Sequence, residues 1–452
     1  MKRIVAFIFT FIFLLVFCSG CSPSDMPDAA NPVTLTMWHV YGSQTHSPLN
    51  TAIDEFNRTV GYENGITVDV VSVTSSSAID QSLAAAANGE PGAEHLPDLF
   101  TAYPRTVEII GADNLLSWND YFTEEELDVF TESFLSEGYF DGRLLMLPVA
   151  KSTEAFFLNQ TLFVPFSSQT GILPEQLRTF DGLFSAARTY YDWSGGHNFM
   201  QINDYYNYAY IGMKSFGSEF VLDGKLQLEH ENFEKIWTPL AKTAIYGGIC
   251  LEDGYAASRW KTVEIISNIG STADVLYQPD EVIYSNNTTE PITALALPYP
   301  VFAEEEAHAV YRGGGLFALK NADERKNQAA CIFAAWLTEK EHNLAFVTEA
   351  GYVPVIDEAF DVLFADINTV KNEKYHSVYE TVGTMLREYT FHALPLYAGA
   401  SDVQHDFEYH VKDVLRAAHK EYLERIRSGE DSEAVLNELS ASSFDELRQF
   451  FA

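Results

Sequence analysis

Basic residues are scarce: the 452-residue chain has 28 Lys and Arg against 64 Asp and Glu, a formal charge of −36. Binding through a phosphate backbone needs clustered cations that release counterions, so this balance argues against nucleic acid as a partner. Cysteine is scarcer still, four in all, and two of these fall within the first 21 residues. The other two, Cys250 and Cys331, have no metal-ligand spacing and can form one disulfide or remain two thiols. No long apolar run follows the start of the chain, and no internal repeat of fixed period is found. What is present suits folding: 47% apolar residues supply sizeable cores, and the length points to two domains or three.

Signatures of catalysis are also missing. Gly313-Gly314-Gly315 lacks the Gly-Lys-Ser/Thr ending of a phosphate-binding loop, so its glycines are read as a turn or a close backbone approach. There is no Gly-x-Ser-x-Gly elbow and no His-Glu-x-x-His. His405, Glu408 and His410 share a predicted helix, but the two His are five residues apart, about 140° around the axis. That pattern predicts a solvated face rather than a metal site. Among 64 carboxylates a glycosidase pair is open to no simple test by inspection, and nothing singles one out.

The first residues have a character of their own. Lys2 and Arg3 precede Ile4–Phe17, apolar except for Thr10. As a helix this run spans ~21 Å, short of a ~30 Å hydrocarbon core, which fits a secretory signal over residues 1–20. Cys18-Ser19-Gly20-Cys21 follows. Ser19-Gly20-Cys21 resembles the bacterial lipobox, with Cys18 where that motif usually has Leu. The resemblance implies cleavage before Cys21 and its acylation; the alternative is an ordinary secretory peptide with an incidental Cys. Two acyl chains provide stable anchoring where one does not. Residues 21–32, with Pro23, Pro27 and Pro32, then read as a tether.

The exported part alternates strand and helix signals. Val33–Trp38 reads as a strand, Ser47-Pro48 opens a helix with Leu49, Ile53 and Phe56 on one face, and Ile66–Val73 is a second strand. A helix over Ala78–Ala87 and a strand over Leu99–Ala102 complete a parallel α/β pattern. Thr123 and Glu126 predict a capping box for a helix running to about Ser136, and Asp141-Gly142 predicts a hairpin turn within Tyr139–Leu147. Phe180–Tyr191 and Phe233–Tyr246 are predicted helices, and Tyr205–Tyr210 is either helix or pocket wall. Arg312–Leu319 reads as a glycine-interrupted strand, Asn321–Ala350 as a helical region stopped by Gly351, and Tyr375–Ala452 as mostly helical. The 24 Tyr, 32 Phe and 6 Trp suit a sugar, whose faces are alternately apolar and hydroxylated.

In order along the chain stand Leu35-Thr36-Met37-Trp38-His39, Phe56-Asn57, Leu96-Pro97-Asp98-Leu99-Phe100, Tyr139-Phe140-Asp141-Gly142-Arg143, and Leu147-Pro148 leading to Phe156-Phe157-Leu158-Asn159. Arg312-Gly313-Gly314-Gly315-Leu316, Ala334-Ala335-Trp336-Leu337 and Gly351-Tyr352-Val353-Pro354 follow. Over Val33–Ala452 this order resembles the family 1 extracellular solute-binding proteins of ABC importers, the group of maltose- and glycerol-3-phosphate-binding proteins. The resemblance implies an α/β, two-lobed, type II periplasmic-binding-protein-like fold with a hinge and an interlobe cleft. By analogy lobe 1 is 33–148 plus 316–353, and lobe 2 is 149–315 plus 354–452.

It further implies a monomer that binds a carbohydrate or related polar solute between the lobes and offers it to an ABC permease, with no cofactor, no metal and no catalysis. Its place would be the extracellular face of the cytoplasmic membrane, held by the lipid anchor, or the periplasm of a two-membrane cell. Ligand contacts are expected at Tyr41, Ser76, Tyr103, Ser152, Thr153, Ser271, Gly314 and Tyr352, with Trp38 and Trp260 as stacking candidates. Lys151 and Glu154 depart from the Ser-Ser-Thr stretch of the glycerol-phosphate binders. Phe391-His392-Ala393-Leu394 lacks the basic residue those proteins carry in the tail, which favours a neutral carbohydrate over a glycerol phosphate ester. The competing readings are a cell-surface glycosidase or other hydrolase, and a receptor or adhesin that has lost its transporter.

Overall fold

The computed structural model describes residues 26–41, 47–73, 78–302, 307–397 and 399–452, apart from the side chains of 72 and 73. Cys21 and Ser76 lie outside the described residues. Eleven strands build two sheets: β1 (Val33–His39), β2 (Ile66–Val73), β3 (Leu99–Ala102), β4 (Leu147–Pro148), β5 (Ser152–Asn159), β6 (Met200–Ile202), β7 (Ser267–Ser271), β8 (Ala294–Pro298), β9 (His308–Arg312), β10 (Gly315–Ala318) and β11 (Thr390–His392).

The first sheet runs β2-β1-β3-β10-β4, with β1 parallel to β2 and β3, and β10 antiparallel to β3 and β4. The first helix, Pro48–Arg58, starts because Ser47 Oγ accepts from Asn50 N–H at 3.2 Å and Pro48 suits the first turn. Its buried face carries Leu49, Ile53 and Phe56. Phe56 packs edge-on against Phe333 and Trp336, with ring centroids 5.1 and 5.4 Å away.

The second sheet runs β11-β9-β5-β7-β6, with β8 also paired to β5. All eight residues of β5 are buried. Its Ala155-Phe156-Phe157-Leu158 run is the continuous apolar stretch expected of a strand covered on both faces. Burying each Phe or Leu there contributes roughly 1.5–3 kcal/mol, which makes this strand the anchor of its lobe. The helices Ala400–Arg427 and Ser432–Phe450 pack against Glu231–Tyr246 beside it.

Several local expectations acquire sharper form. The Thr123–Glu126 capping box is present, but its helix stops at Leu127 and a separate helix spans Glu132–Ser136. Asp141 and Gly142 adopt positive φ, +48° and +79°, between the two strands of the hairpin. Tyr205–Ser215 is a helix. The region 321–350 is two helices, Glu324–Thr338 and Lys340–Thr348, separated at Glu339, whose ψ of 144° is extended. The glycine-interrupted strand is two strands belonging to different sheets, and Gly313-Gly314 is the link between them. Cys250 and Cys331 are free thiols, Cys250 buried and Cys331 half-buried.

Candidate binding cleft

The two sheets are joined directly at Val149–Lys151 and at Gly313-Gly314, so the residues flanking these links stand between the lobes. From the first lobe come three tyrosines. Tyr41 follows β1, is 2% exposed, and meets the rings of Phe346 and Tyr352 edge-on at 5.2 and 5.1 Å. His39 orients it: Nδ1 accepts from Tyr41 N–H at 3.2 Å, which leaves Nε2–H to donate to Asn50 Oδ1 at 2.6 Å. Burial lowers the His39 pKa to about 4, against the Asn50 hydrogen bond, so the ring is neutral at physiological pH. Tyr103 follows β3, with the Arg105 guanidinium 5.5 Å from its ring centroid.

Tyr352 follows Gly351, whose φ is +73°. A Cβ at Gly351 would stand 2.5 Å from Val275 Cγ1 and 2.9 Å from Thr272 O, so this turn sits against Thr272–Tyr277, the segment that follows β7. Tyr352 is surrounded by protein although half-buried in area. Burial raises its phenol pKa well above the usual value, reinforced by Tyr41, Tyr103, Tyr277 and Asp274.

The second lobe supplies a polar wall. Ser271 Oγ donates to Ser152 Oγ at 3.1 Å, linking β7 to β5. Arg312, at the end of β9, donates from Nη1 to Glu154 Oε1 at 2.5 Å and pairs through Nη2 with Asp204 Oδ2 at 3.4 Å. Asn207 Nδ2 donates to the same Glu154 oxygen at 2.9 Å. Asn203 Nδ2 donates to Asp274 Oδ2, also at 2.9 Å. Burial disfavours the Arg312 cation, but Glu154, Asp204, Tyr103 and Asp274 outweigh it and hold its pKa above the usual value. Glu154 is pushed up by burial, with Arg312 opposing and Asp204 adding to the shift. Burial likewise raises Asp274 to about 6, against Arg312 and Asn203.

The remaining candidates have other surroundings. Thr153 points to the opposite side of β5 from Ser152, and its hydroxyl donates to Val310 O at 2.8 Å. At Gly314 a Cβ would overlap the Ala102 carbonyl, so its glycine serves a close approach of the link to β3. Trp38 is 3% exposed in an apolar cluster with Ile79, Leu83 and Phe100, and Trp260 is 0% exposed in the larger core; both are core residues, not free ring faces. Glu408 also departs from the solvated face expected of it. Its Oε1 accepts from Tyr206 N–H at 2.7 Å at the start of Tyr205–Ser215, while His410 stacks on Phe450 at 3.7 Å. Burial, then Asp204, raises the Glu408 pKa well above the usual value.

Arg312, Glu154, Asp204, Asn207 and Asp274 form a polar cluster beside these candidates that sequence reasoning did not select. The signals were a lone Glu directly before the apolar run of a strand and an Arg directly before three glycines. Among the described residues no group of three or more His, Cys, Asp or Glu could hold a metal ion, and no helix is long and apolar enough to cross a membrane.

This architecture, two sheets with a ring-lined and a polar wall meeting at short links, is that of a two-lobed binding protein. The sequence model of the family described as bacterial extracellular solute-binding protein matches residues 51–374, and the chain belongs to that family. No curated protein sequence matches it. Among solved structures it is similar to UgpB from Mycobacterium tuberculosis in complex with glycerophosphocholine, at 15% identity and a TM-score of 0.67, covering 93% of this chain and 98% of that one. The ABC substrate-binding protein Lmo0181 from Listeria monocytogenes, in complex with cycloalternan, gives 12%, 0.66, 93% and 99%. The cyclic alpha-maltosyl-1,6-maltose binding protein from Arthrobacter globiformis gives 16%, 0.63, 92% and 99%. At these identities the likeness is one of fold.

Proposed function

We propose that this extracellular solute-binding protein captures a neutral carbohydrate or related polar solute between its lobes and presents the closed, loaded form to an ABC importer, without chemical change to the solute. The observation that carries this reading is the meeting of Gly351-Tyr352 with Thr272–Tyr277. Support comes from the half-buried Tyr103 and Tyr352 rings lying near the half-buried Ser271, Asp274 and Arg312 groups, with Tyr41 and Ser152 buried behind them. Rings take the apolar faces of a sugar, and carboxylate, hydroxyl and guanidinium groups take its hydroxyls. A ligand touching both walls binds the closed state more tightly than the open one, and that difference drives closure.

Charge favours a neutral solute over a phosphate ester. Arg312 is already shared by Glu154 and Asp204, and Lys151 is paired with Glu137, so neither cation stands ready for a phosphate. Saturating neutral oligosaccharides should raise the melting temperature, because a ligand that binds only the folded state stabilises it. A melting temperature that neutral oligosaccharides leave unmoved but phosphate esters or another solute class raise would overturn the proposal.

The hydrolase reading requires a carboxyl that can reach substrate. Glu154 is 1% exposed and held by Arg312 and Asn207, an arrangement that suits a structural anion. Turnover of a chromogenic glycoside, lost in Asp274→Asn, would restore that reading. We also propose lipid attachment at Cys21, lobes divided as 33–148 plus 316–353 and 149–315 plus 354–452, and a monomeric state. Incorporation of labelled palmitate that disappears in Cys21→Ser checks the anchor.

A further inference from the structure

Lys151 is 0% exposed. A lysine is almost never fully buried without a partner, and an apolar side chain of the same volume is commonly no less stable in such a place. Its retention therefore calls for a reason in geometry. The residue lies on the first link between the sheets, directly before Ser152. Its backbone pairs with a second segment: Val353 N–H donates to Lys151 O at 2.7 Å, and Lys151 N–H to Val353 O at 3.2 Å. Its ammonium reaches a third segment, the other interlobe link, donating to Gly313 O at 3.2 Å. The same nitrogen pairs with Glu137 Oε2 at 2.7 Å, just beyond the helix Glu132–Ser136, and lies 5.8 Å from the Phe134 ring centroid.

The surroundings hold this contact in place. Gly313 has φ +119°, and a Cβ there would come within 3.0 Å of Ala150 O. The two links therefore run side by side, with the Gly313 carbonyl turned to the ammonium. Buried Asn343 makes a matching stitch two residues earlier, donating from Nδ2 to Val149 O at 2.8 Å and accepting from Val355 N–H at 3.2 Å. The residue after Lys151 is Ser152, and the residue before Gly313 is Arg312. Ser152 and Arg312 are themselves register partners of β5 and β9, so the ammonium ties the two links together at the point where both leave that strand pair.

We propose that Lys151 is a positioning residue of the hinge: it couples the two interlobe links to each other and to Val353, so that the lobes move about one defined axis. A merely stabilising side chain would affect melting but not the spread of lobe positions.

The test uses the full mature chain with Cys250 and Cys331 replaced by alanine and spin labels at exposed Tyr62 and Tyr255, one in each lobe, read by pulsed electron double resonance without ligand. Lys151→Met combined with Glu137→Gln removes both charges and keeps the volume. The expected result is a cooperative melting transition with a broader interlobe distance distribution than the parent chain gives. Affinity for maltotriose, read by calorimetry, is expected to fall roughly tenfold, an ordinary coupling between sites. An unchanged distance distribution in the folded double variant overturns the proposal. If that variant does not fold, Glu137→Gln alone, which keeps a hydrogen-bond acceptor but removes the countercharge, is read by the same two criteria. The distance measurement needs no solute, so failure of maltotriose to bind the parent chain counts against the carbohydrate reading and leaves the hinge result standing.

Discussion

Asp274 is a half-buried carboxyl with one amide partner, and burial raises its pKa to about 6, above the ordinary carboxylate value. The folded chain therefore holds this proton more tightly than the unfolded chain does, so folding is penalised as pH rises through that interval. The penalty is absent below about pH 4 and complete above about pH 6. A rise of ~2 units corresponds to at most about 3 kcal/mol. Asp274→Asn, without ligand, is expected to be more stable than the parent near pH 8 by about 1–3 kcal/mol, with the difference closing as the pH falls to about 4. Urea melts at both pH values check this, and equal stabilities near pH 8 would refute it. Core and cleft aromatics separate in the same way. Trp38→Ala should cost about 3–5 kcal/mol of stability. Tyr103→Ala should leave melting nearly unchanged but weaken solute binding roughly tenfold, about 1.4 kcal/mol. Residue type alone could not make this separation: Trp38 and Tyr41 both pack into the core, at 3% and 2% exposure, whereas Tyr103 stays half-buried.

At the scale of elements, helices with a cap and an apolar face were legible, as Ser47-Pro48 and the Thr123–Glu126 box show. Their ends were less so. The capped helix ends at Leu127, where Phe130 and Thr131 instead meet Val355 and Ile356, contacts from more than two hundred positions away. The Gly351 turn shows how one residue couples two elements. Alanine there meets both a left-handed backbone and the Thr272 carbonyl. Gly351→Ala is expected to lose about 1–2 kcal/mol of stability and to weaken solute binding by parting the turn from Thr272–Tyr277. Denaturant melts paired with calorimetric titration would show the two losses together; a variant with full affinity would break the link between this turn and the cleft.

At the scale of the whole molecule, the two cysteines among the described residues, Cys250 and Cys331, are free thiols. Burial, ahead of the Glu324 and Glu126 charges, pushes the Cys331 thiol well above its usual range, so it is a poor thiolate. Stability of the mature chain is therefore expected to be indifferent to reducing agent, and a fall in melting temperature with dithiothreitol would contradict the free-thiol assignment. Order along the chain was enough to foresee the layered α/β architecture, because strand and helix periodicities are local properties of a backbone. It also foresaw glycines where the chain must turn or approach closely. Tertiary structure alone decided that Arg312–Leu319 splits between two sheets, that Glu408 turns inward to Tyr206, and that Arg312 gathers Glu154 and Asp204. Those outcomes depend on charges and backbone groups brought together from distant positions, and their energies arise only once water has been excluded around them.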